Sequence, residues 1–347
     1  MDKLLRVLIV DDSAYVRKVV KQMLSRSPFI EVVGAAHDGE EALEMVEELK
    51  PDVVTLDLIM PHMDGVEFLR RQMAINPVPV IVVSIASESG EMALAALDAG
   101  AVDFVQKPTA LATEKIFEIS EELIEKVKYA AQVPLKRLLA PQLTNSKAIA
   151  VATKPQSGTL DIIVIGISTG GPQALAFLIP QLPAEMPVPI AMVLHMPVGY
   201  TEMYARRLNE QSNLEVIEAY EGAIVKPGVV LLAAAGRHLS FRRQHDGTVV
   251  AHLDARPIDT LHRPAVDVLF QSAAEVYSDR VLGIVMTGMG SDGKQGAAWI
   301  KSHGGKIITE AEETCVVYGM PRSVVEAGLS DRSVPLTHMA QAILEEI

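Results

Sequence analysis

The chain has 347 residues, 49% of them hydrophobic, a length that predicts two domains and a composition able to build a core in each. Its formal net charge of −13 opposes a phosphate backbone over most of the surface and disfavours nucleic-acid binding; the basic pairs Arg242-Arg243 and Arg256 with Arg263 are too short to reverse this. The single cysteine, Cys315, excludes an internal disulfide and a multi-cysteine metal site, no run of about 18 apolar residues exists, and Met1 to Arg6 is too polar for a signal peptide, so a cytoplasmic protein without membrane insertion is expected.

From the beginning, short apolar runs alternate with segments of helical period: LLRVLIV then YVRKVVKQML, EVVGAA then GEEALEMVEEL, DVVTLDL then GVEFLRRQM. That alternation predicts a parallel sheet covered by helices on both faces. PVIVVSIA and the run ending VDFVQKP add a fourth and a fifth strand, and TEKIFEISEELIEKVKYA closes the unit as an acidic amphipathic helix. The first predicted domain, residues 1–129, is therefore a five-stranded parallel, doubly wound α/β unit. Over 130–159 periodicity fades among Pro134, Pro141, Pro155 and Gly158, which predicts an interdomain linker in which KRLLA keeps some helix. Residues 160–347 resume the alternation with DIIVIG, PQALAFLIPQL, PIAMVLH, YTEMYARRLNE, VLGIVMTG and GKQGAAWIKSHG, predicting a second parallel-sheet α/β domain, and MAQAILEEI reads as a terminal helix. Within it, VVLLAAAGRHLSFRRQHDGTVVAHLDA sets Asp246-Gly247 between alternating runs and predicts an inserted β-hairpin.

In an open α/β sheet the functional crevice lies at the carboxyl ends of the strands. Polar residues follow four of the first five predicted strands: Asp11 and Asp12, Asp57, Ser84, and Lys107 followed by Pro108. Converging carboxylates repel one another unless a cation is present, and a hard divalent ion such as Mg2+ suits oxygen ligands while leaving positions for phosphate oxygens. Ser84 and Lys107 can then contact the same phosphoryl group. Each Asp taken singly is equally a helix cap. With VDDS, LDLIMPHMDG and QKP in this order, residues 5 to about 128 resemble the receiver domains of two-component response regulators. The resemblance implies that Asp57 accepts phosphate from a histidine kinase, that Asp11, Asp12 and Asp57 bind Mg2+, and that Phe104 is the switch aromatic; the alternative for Phe104 is a core side chain.

In the second domain Gly166-Ile167-Ser168-Thr169-Gly170 sits between a buried strand and a helix, a tight turn that exposes a serine oxygen and aims backbone N–H groups at an anion. Ser168 could instead be only a helix cap. A serine hydroxyl needs a base, and of nine histidines only His195 directly ends a strongly apolar strand; His62 belongs to the first domain, while His245 and His252 flank the hairpin. In VLGIVMTGMGSDG, Asp292 could orient His195, or cap the next helix, and the Met289-Gly290 backbone, with that of Thr169, could face an oxyanion.

GISTGGP, LHMP, HRPAVDVLF, TGMGSDG and CVVYGMPRSVVEAG closely resemble the chemotaxis protein-glutamate methylesterases, also known as receptor deamidases, over essentially the whole chain. Ile167 and Ser291 stand where Ala and Asn are familiar in that family. The resemblance implies a phosphorylation-activated serine hydrolase that removes methyl esters from glutamates on chemoreceptor helices, releases methanol and deamidates glutamines. Ser168 would be the nucleophile, His195 the base and Asp292 its orienting partner, with no cofactor in this half. The unphosphorylated receiver would block the hydrolase entrance, Arg256 and Arg263 would meet an acidic receptor surface or pair internally, and the protein would be a monomer. Two other functions remain open at the level of residues: a phosphorylation-dependent binding module with an inactive hydrolase half, and a transcriptional regulator.

Overall fold

The computed structural model describes residues 4–84, 86–107, 113–134 and 160–347. Pro108 and most of the expected linker, including KRLLA, lie outside the described residues. The chain divides into two compact units, Met1–Gln142 and Leu143–Ile347.

In the first unit, β1 (Leu5–Val10), β2 (Ile30–Ala36), β3 (Val53–Leu56), β4 (Val80–Ser84) and β5 (Asp103–Gln106) form a parallel sheet in the order β2-β1-β3-β4-β5. Five helices connect or close it: α1 (Ala14–Leu24), α2 (Gly39–Leu49), α3 (Gly65–Ile75), α4 (Ala86–Asp98) and α5 (Thr113–Ala130). Val7 to Val10 and Val53 to Leu56 are buried on both faces, which explains unbroken apolar runs instead of alternation. The helices start where side-chain acceptors satisfy free N–H groups: Asp38 takes Glu41 N–H at 2.9 Å and Asp64 takes Glu67 N–H at 2.8 Å. The order in which successive strands are added reverses between β1 and β3, so Asp11 and Asp57 follow the two strands that flank the crevice.

The second unit holds a seven-stranded sheet ordered β14-β13-β12-β6-β7-β9-β8, every pair parallel. Its strands are β6 (Ile162–Ile167), β7 (Ile190–Leu194), β8 (Glu215–Glu218), β9 (Val229–Leu232), β12 (Val281–Val285), β13 (Lys306–Glu310) and β14 (Arg332–Val334). The helices are α6 (Gly171–Leu178), α7 (Thr201–Gln211), α8 (Val266–Tyr277), α9 (Lys294–Ser302), α10 (Met320–Glu326) and the terminal α11 (Leu336–Glu346). β10 (His238–Arg243) and β11 (Val249–Asp254) make the expected antiparallel hairpin around Asp246-Gly247. The stretch assigned to it is too long at its start, because Val229–Leu232 belongs to the parallel sheet as β9. The reason is burial: these four residues are covered on both faces, whereas the alternating pattern of a hairpin resting on a core begins at Leu239. Phe241 lies edge-on to Tyr277 of α8 at 5.9 Å, and its N–H donates to Ser272 Oγ at 2.8 Å, which fixes the hairpin against α8. Among the described residues no helix is long and apolar enough to cross a membrane.

Candidate functional sites

In the first unit the strand-end residues meet. Lys107 Nζ lies 2.8 Å from Asp11 Oδ2 and 2.7 Å from Asp57 Oδ2, and the Lys107 N–H donates to Ser84 O at 2.7 Å. Asp57 Oδ1 accepts the Leu58 N–H at 2.8 Å, and Asp11 Oδ1 accepts the Ser13 N–H at 2.9 Å. Burial raises the Asp57 pKa, more strongly than Lys107 lowers it, and the nearby Asp11 pushes the same way. For Lys107 burial works against the charge, yet hydrogen bonds to Asp11 and Asp57 outweigh it and the pKa rises. Ligand oxygens of Asp11, Asp12 and Asp57 lie within 4.8 Å of one another, Asp12 being the exposed member. Three carboxylates facing a single ammonium leave excess negative charge on hard oxygen donors, a set that fits a divalent cation. Phe104 is buried at 2% exposure, with Lys126 Nζ 5.9 Å from its ring centroid and donating to its carbonyl at 2.7 Å.

In the second unit β6 and β7 are adjacent and pair Ile167 with Leu194, so the residues that follow them, Ser168 and His195, sit at neighbouring strand ends. The His195 N–H donates to Ile167 O at 3.2 Å. Gly170, at φ +79°, makes the turn into α6; a side chain there would be strained and would meet Val316 at 2.6 Å. On the other side of β6 runs β12, which delivers Thr287 and the 288–292 turn. Gly288 has no room for a Cβ, which would stand 2.8 Å from that of Ser168, so this glycine lets the turn close on the serine.

His195 Nε2 lies 2.8 Å from Asp292 Oδ2. A carboxylate only accepts, so Nε2 carries the hydrogen and Nδ1 keeps its lone pair. Nδ1 is buried and has no hydrogen-bond partner among the described residues. Asp292 also accepts the N–H groups of Val266 at 2.7 Å and Asp267 at 2.9 Å. Burial opposes ionisation of Asp292, but the hydrogen bond and charge of His195 and these two N–H groups outweigh it and lower its pKa. The N–H groups of Met289 and Gly290 have no backbone acceptor among the described residues, and Thr169 is buried beside Ser168 with its carbonyl held by Thr287 Oγ1 at 2.9 Å.

Several neighbours escape the sequence reading. His262 stacks on His195, ring centroids 4.1 Å apart. Asp267 accepts Gly293 and Gly296 N–H groups at 2.9 and 2.7 Å at the start of α9, and burial, helped by repulsion from Asp292, raises its pKa to about 6. His238, 1% exposed, donates from Nε2 to Pro257 O at 3.0 Å and accepts Ala265 N–H on Nδ1 at 3.1 Å, so burial lowers its pKa and it stays neutral. HRPAVDVLF carried the only available signal, for His262 and Asp267. Arg256 pairs with Asp254 at 3.0 Å and Arg263 donates to Ile258 O at 3.2 Å, internal contacts for both.

With this geometry established, two regions of the chain match known families: residues 163–343 match the CheB methylesterase and residues 7–118 the response regulator receiver domain. A protein-glutamate methylesterase/protein-glutamine glutaminase of Myxococcus xanthus is 50% identical over 340 residues, 96% of each chain. One of Thermotoga maritima is 43% identical over 346 residues, 99% of each chain. The crystal structure of the Thermotoga maritima CheB methylesterase catalytic domain is similar at a TM-score of 0.53 and 44% identity, over 55% of this chain and 100% of that one. Resemblance by motif, parallel-sheet architecture and near full-length identity agree: the chain belongs to the family of protein-glutamate methylesterases/protein-glutamine glutaminases that join a receiver domain to a CheB methylesterase domain.

Proposed function

We propose that this protein is a cytoplasmic chemosensory esterase in which phosphorylation of Asp57 activates hydrolysis of glutamyl methyl esters on chemoreceptor helices by Ser168. The observation that carries the esterase reading is the His195 ring, bound through Nε2 to Asp292 at 2.8 Å while Nδ1 is buried and unpartnered among the described residues. Ser168 Oγ attacks the γ-carbonyl carbon and its proton passes to His195 Nδ1. Asp292 stabilises the imidazolium, and the Met289, Gly290 and Thr169 N–H groups receive the oxyanion. Collapse breaks the bond to methoxide, which takes the proton from Nδ1 and leaves as methanol; water, deprotonated by Nδ1, then attacks the acyl carbon, the bond to Ser168 Oγ breaks, and that oxygen takes the proton back from Nδ1 as the glutamate leaves. The same steps on a glutamine release ammonia. None of them calls for a cofactor.

In the first unit a histidine kinase supplies the phosphoryl group to the Asp57 carboxylate. Asp11, Asp12 and Asp57 would hold Mg2+, which when bound neutralises phosphoryl oxygens. Lys107 and Ser84 contact the phosphoryl group, and Phe104 is the switch aromatic. We assign residues 1–129 to the receiver, 130–159 to the linker and 160–347 to the esterase, in a monomer that binds no nucleic acid.

The test is methanol release from methylated receptor membranes with and without a small-molecule phosphodonor and Mg2+. Ser168→Ala should lose about 10⁴-fold or more of the activity. Undiminished release in that variant would refute the nucleophile assignment.

A further inference from the structure

β12 and β13 hold parallel register from Leu282 opposite Lys306 to Val285 opposite Thr309. Beyond it Met286 still pairs with β6, through Gly166 O at 2.9 Å, but Thr287 has left the β13 ladder. The acceptor for its N–H is a side chain: Glu310 Oε2, at 2.8 Å. Glu310 Oε1 accepts the Thr314 hydroxyl at 2.9 Å, and that hydroxyl oxygen accepts Leu336 N–H at 3.0 Å. Glu310 is 0% exposed. A carboxylate so deeply buried is tolerated only where donors meet its oxygens, and none of the chemistry proposed above uses it.

What Glu310 holds is the anchor of the nucleophile turn. Thr287 O accepts the Ser168 N–H at 3.0 Å, and Thr287 Oγ1 donates to Thr169 O at 2.9 Å while accepting Val317 N–H at 3.0 Å. Thr287 therefore grips Ser168 and Thr169 through separate atoms, and its own position depends on the carboxylate behind it. We infer that Glu310 is a positioning residue for the esterase: through Thr287 it sets the Ser168–Thr169 turn in register with His195 and the Met289-Gly290 backbone. The inference rests on Ser168 being the nucleophile.

Shape and acceptor capacity can be separated. Glu310→Gln keeps an oxygen for Thr287 N–H, and its amide can donate to Thr314 Oγ1 while that hydroxyl turns to Ala311 O, 3.3 Å away. Glu310→Met keeps length without an acceptor. The experiment compares, in the full-length protein, the rate at which a small fluorophosphonate labels Ser168, located by peptide mass spectrometry, and kcat and KM for methanol release. Because a nucleophile displaced by about 1 Å can lose about 100-fold in rate, E310M should be slower by about 30-fold or more in labelling and kcat, with KM within about twofold and E310Q within about threefold of wild type. A merely structural role would not produce this split or the rescue by glutamine. Wild-type labelling of E310M, or equal impairment of E310Q and E310M, overturns the inference. Should E310M fail to fold, Thr287→Val, which leaves Glu310 intact and removes the Thr169 anchor, must show the slow labelling; a wild-type rate there overturns it too. Wild-type protein left unlabelled at Ser168 would refute the nucleophile assignment itself, and this inference with it.

Discussion

His195 turns its ring opposite to the usual serine-hydrolase arrangement, with Nε2 on the carboxylate, so that Nδ1 is the nitrogen the proposed mechanism uses as base. That proposed base is the nitrogen nearer its own backbone, at the end of β7. Asp292 remains ionised here because two backbone N–H groups and His195 share its charge, while its neighbour Asp267 is pushed up to about 6. That difference has a sign. An acid whose folded pKa lies above its unfolded value binds the proton more tightly when folded, so this group's contribution makes stability fall as pH rises from about 4 to about 6. Asp267→Asn keeps an oxygen for the Gly293 and Gly296 N–H groups and removes the titration. Denaturant unfolding at pH 4.5 and 6.5 should show the variant gaining on wild type at the higher pH; an unchanged difference would remove Asp267 as a titrating group in this range.

At the scale of elements, the site is carried by strands that could not have been placed by pattern alone. β6 lies between β7 and β12, so one strand brings Ser168 against His195 on one side and Thr287 on the other. The hairpin supports the same site from behind. Phe241 packs in one core with Leu239, Val249, Ala251 and the α8 residues Leu269 and Ala273, and α8 begins at Val266, whose N–H holds Asp292. Phe241→Ala should therefore lower unfolding stability by about 3 kcal/mol or more, read as a lower denaturation midpoint. A loss below about 1 kcal/mol would mean that the hairpin is not part of the second unit's core. The HDG turn announces the hairpin because Gly247, at φ +88°, and the Asp246 carboxylate, which accepts the Thr248 N–H at 2.9 Å, are local features. Nothing local announces that β8 and β9 join the sheet beyond β7.

For the whole molecule, two sites on one chain predict coupling. Asp57→Ala should retain basal methanol release and lose the stimulation by phosphodonor, which a coupling of about 1 to 3 kcal/mol would make roughly 5- to 150-fold in wild type. Equal stimulation in the variant would end the regulatory reading. Chelation of divalent cations should likewise remove only the stimulated part, because Asp11, Asp12 and Asp57, the cluster that fits a divalent cation, belong to the first unit; a loss of basal release would contradict this. By itself the sequence determined the class of both units, the five strands of the first with the residues that end them, and in the second the central strands β6, β7 and β12, since apolar runs, helical period and tight glycine turns are set by local sterics and burial. It also marked Asp57, Ser168 and His195, because each directly follows a strand, and Asp292, because it lies in the glycine-rich turn after β12. Only the tertiary structure decided which imidazole nitrogen meets Asp292, that Asp267 is lifted while Asp292 is lowered, and that Glu310 and Thr287 stand behind Ser168. Those facts depend on contacts between residues as far apart as His195 and Asp292, 97 positions in the chain, and on a burial that exists only once the sheet has closed around them.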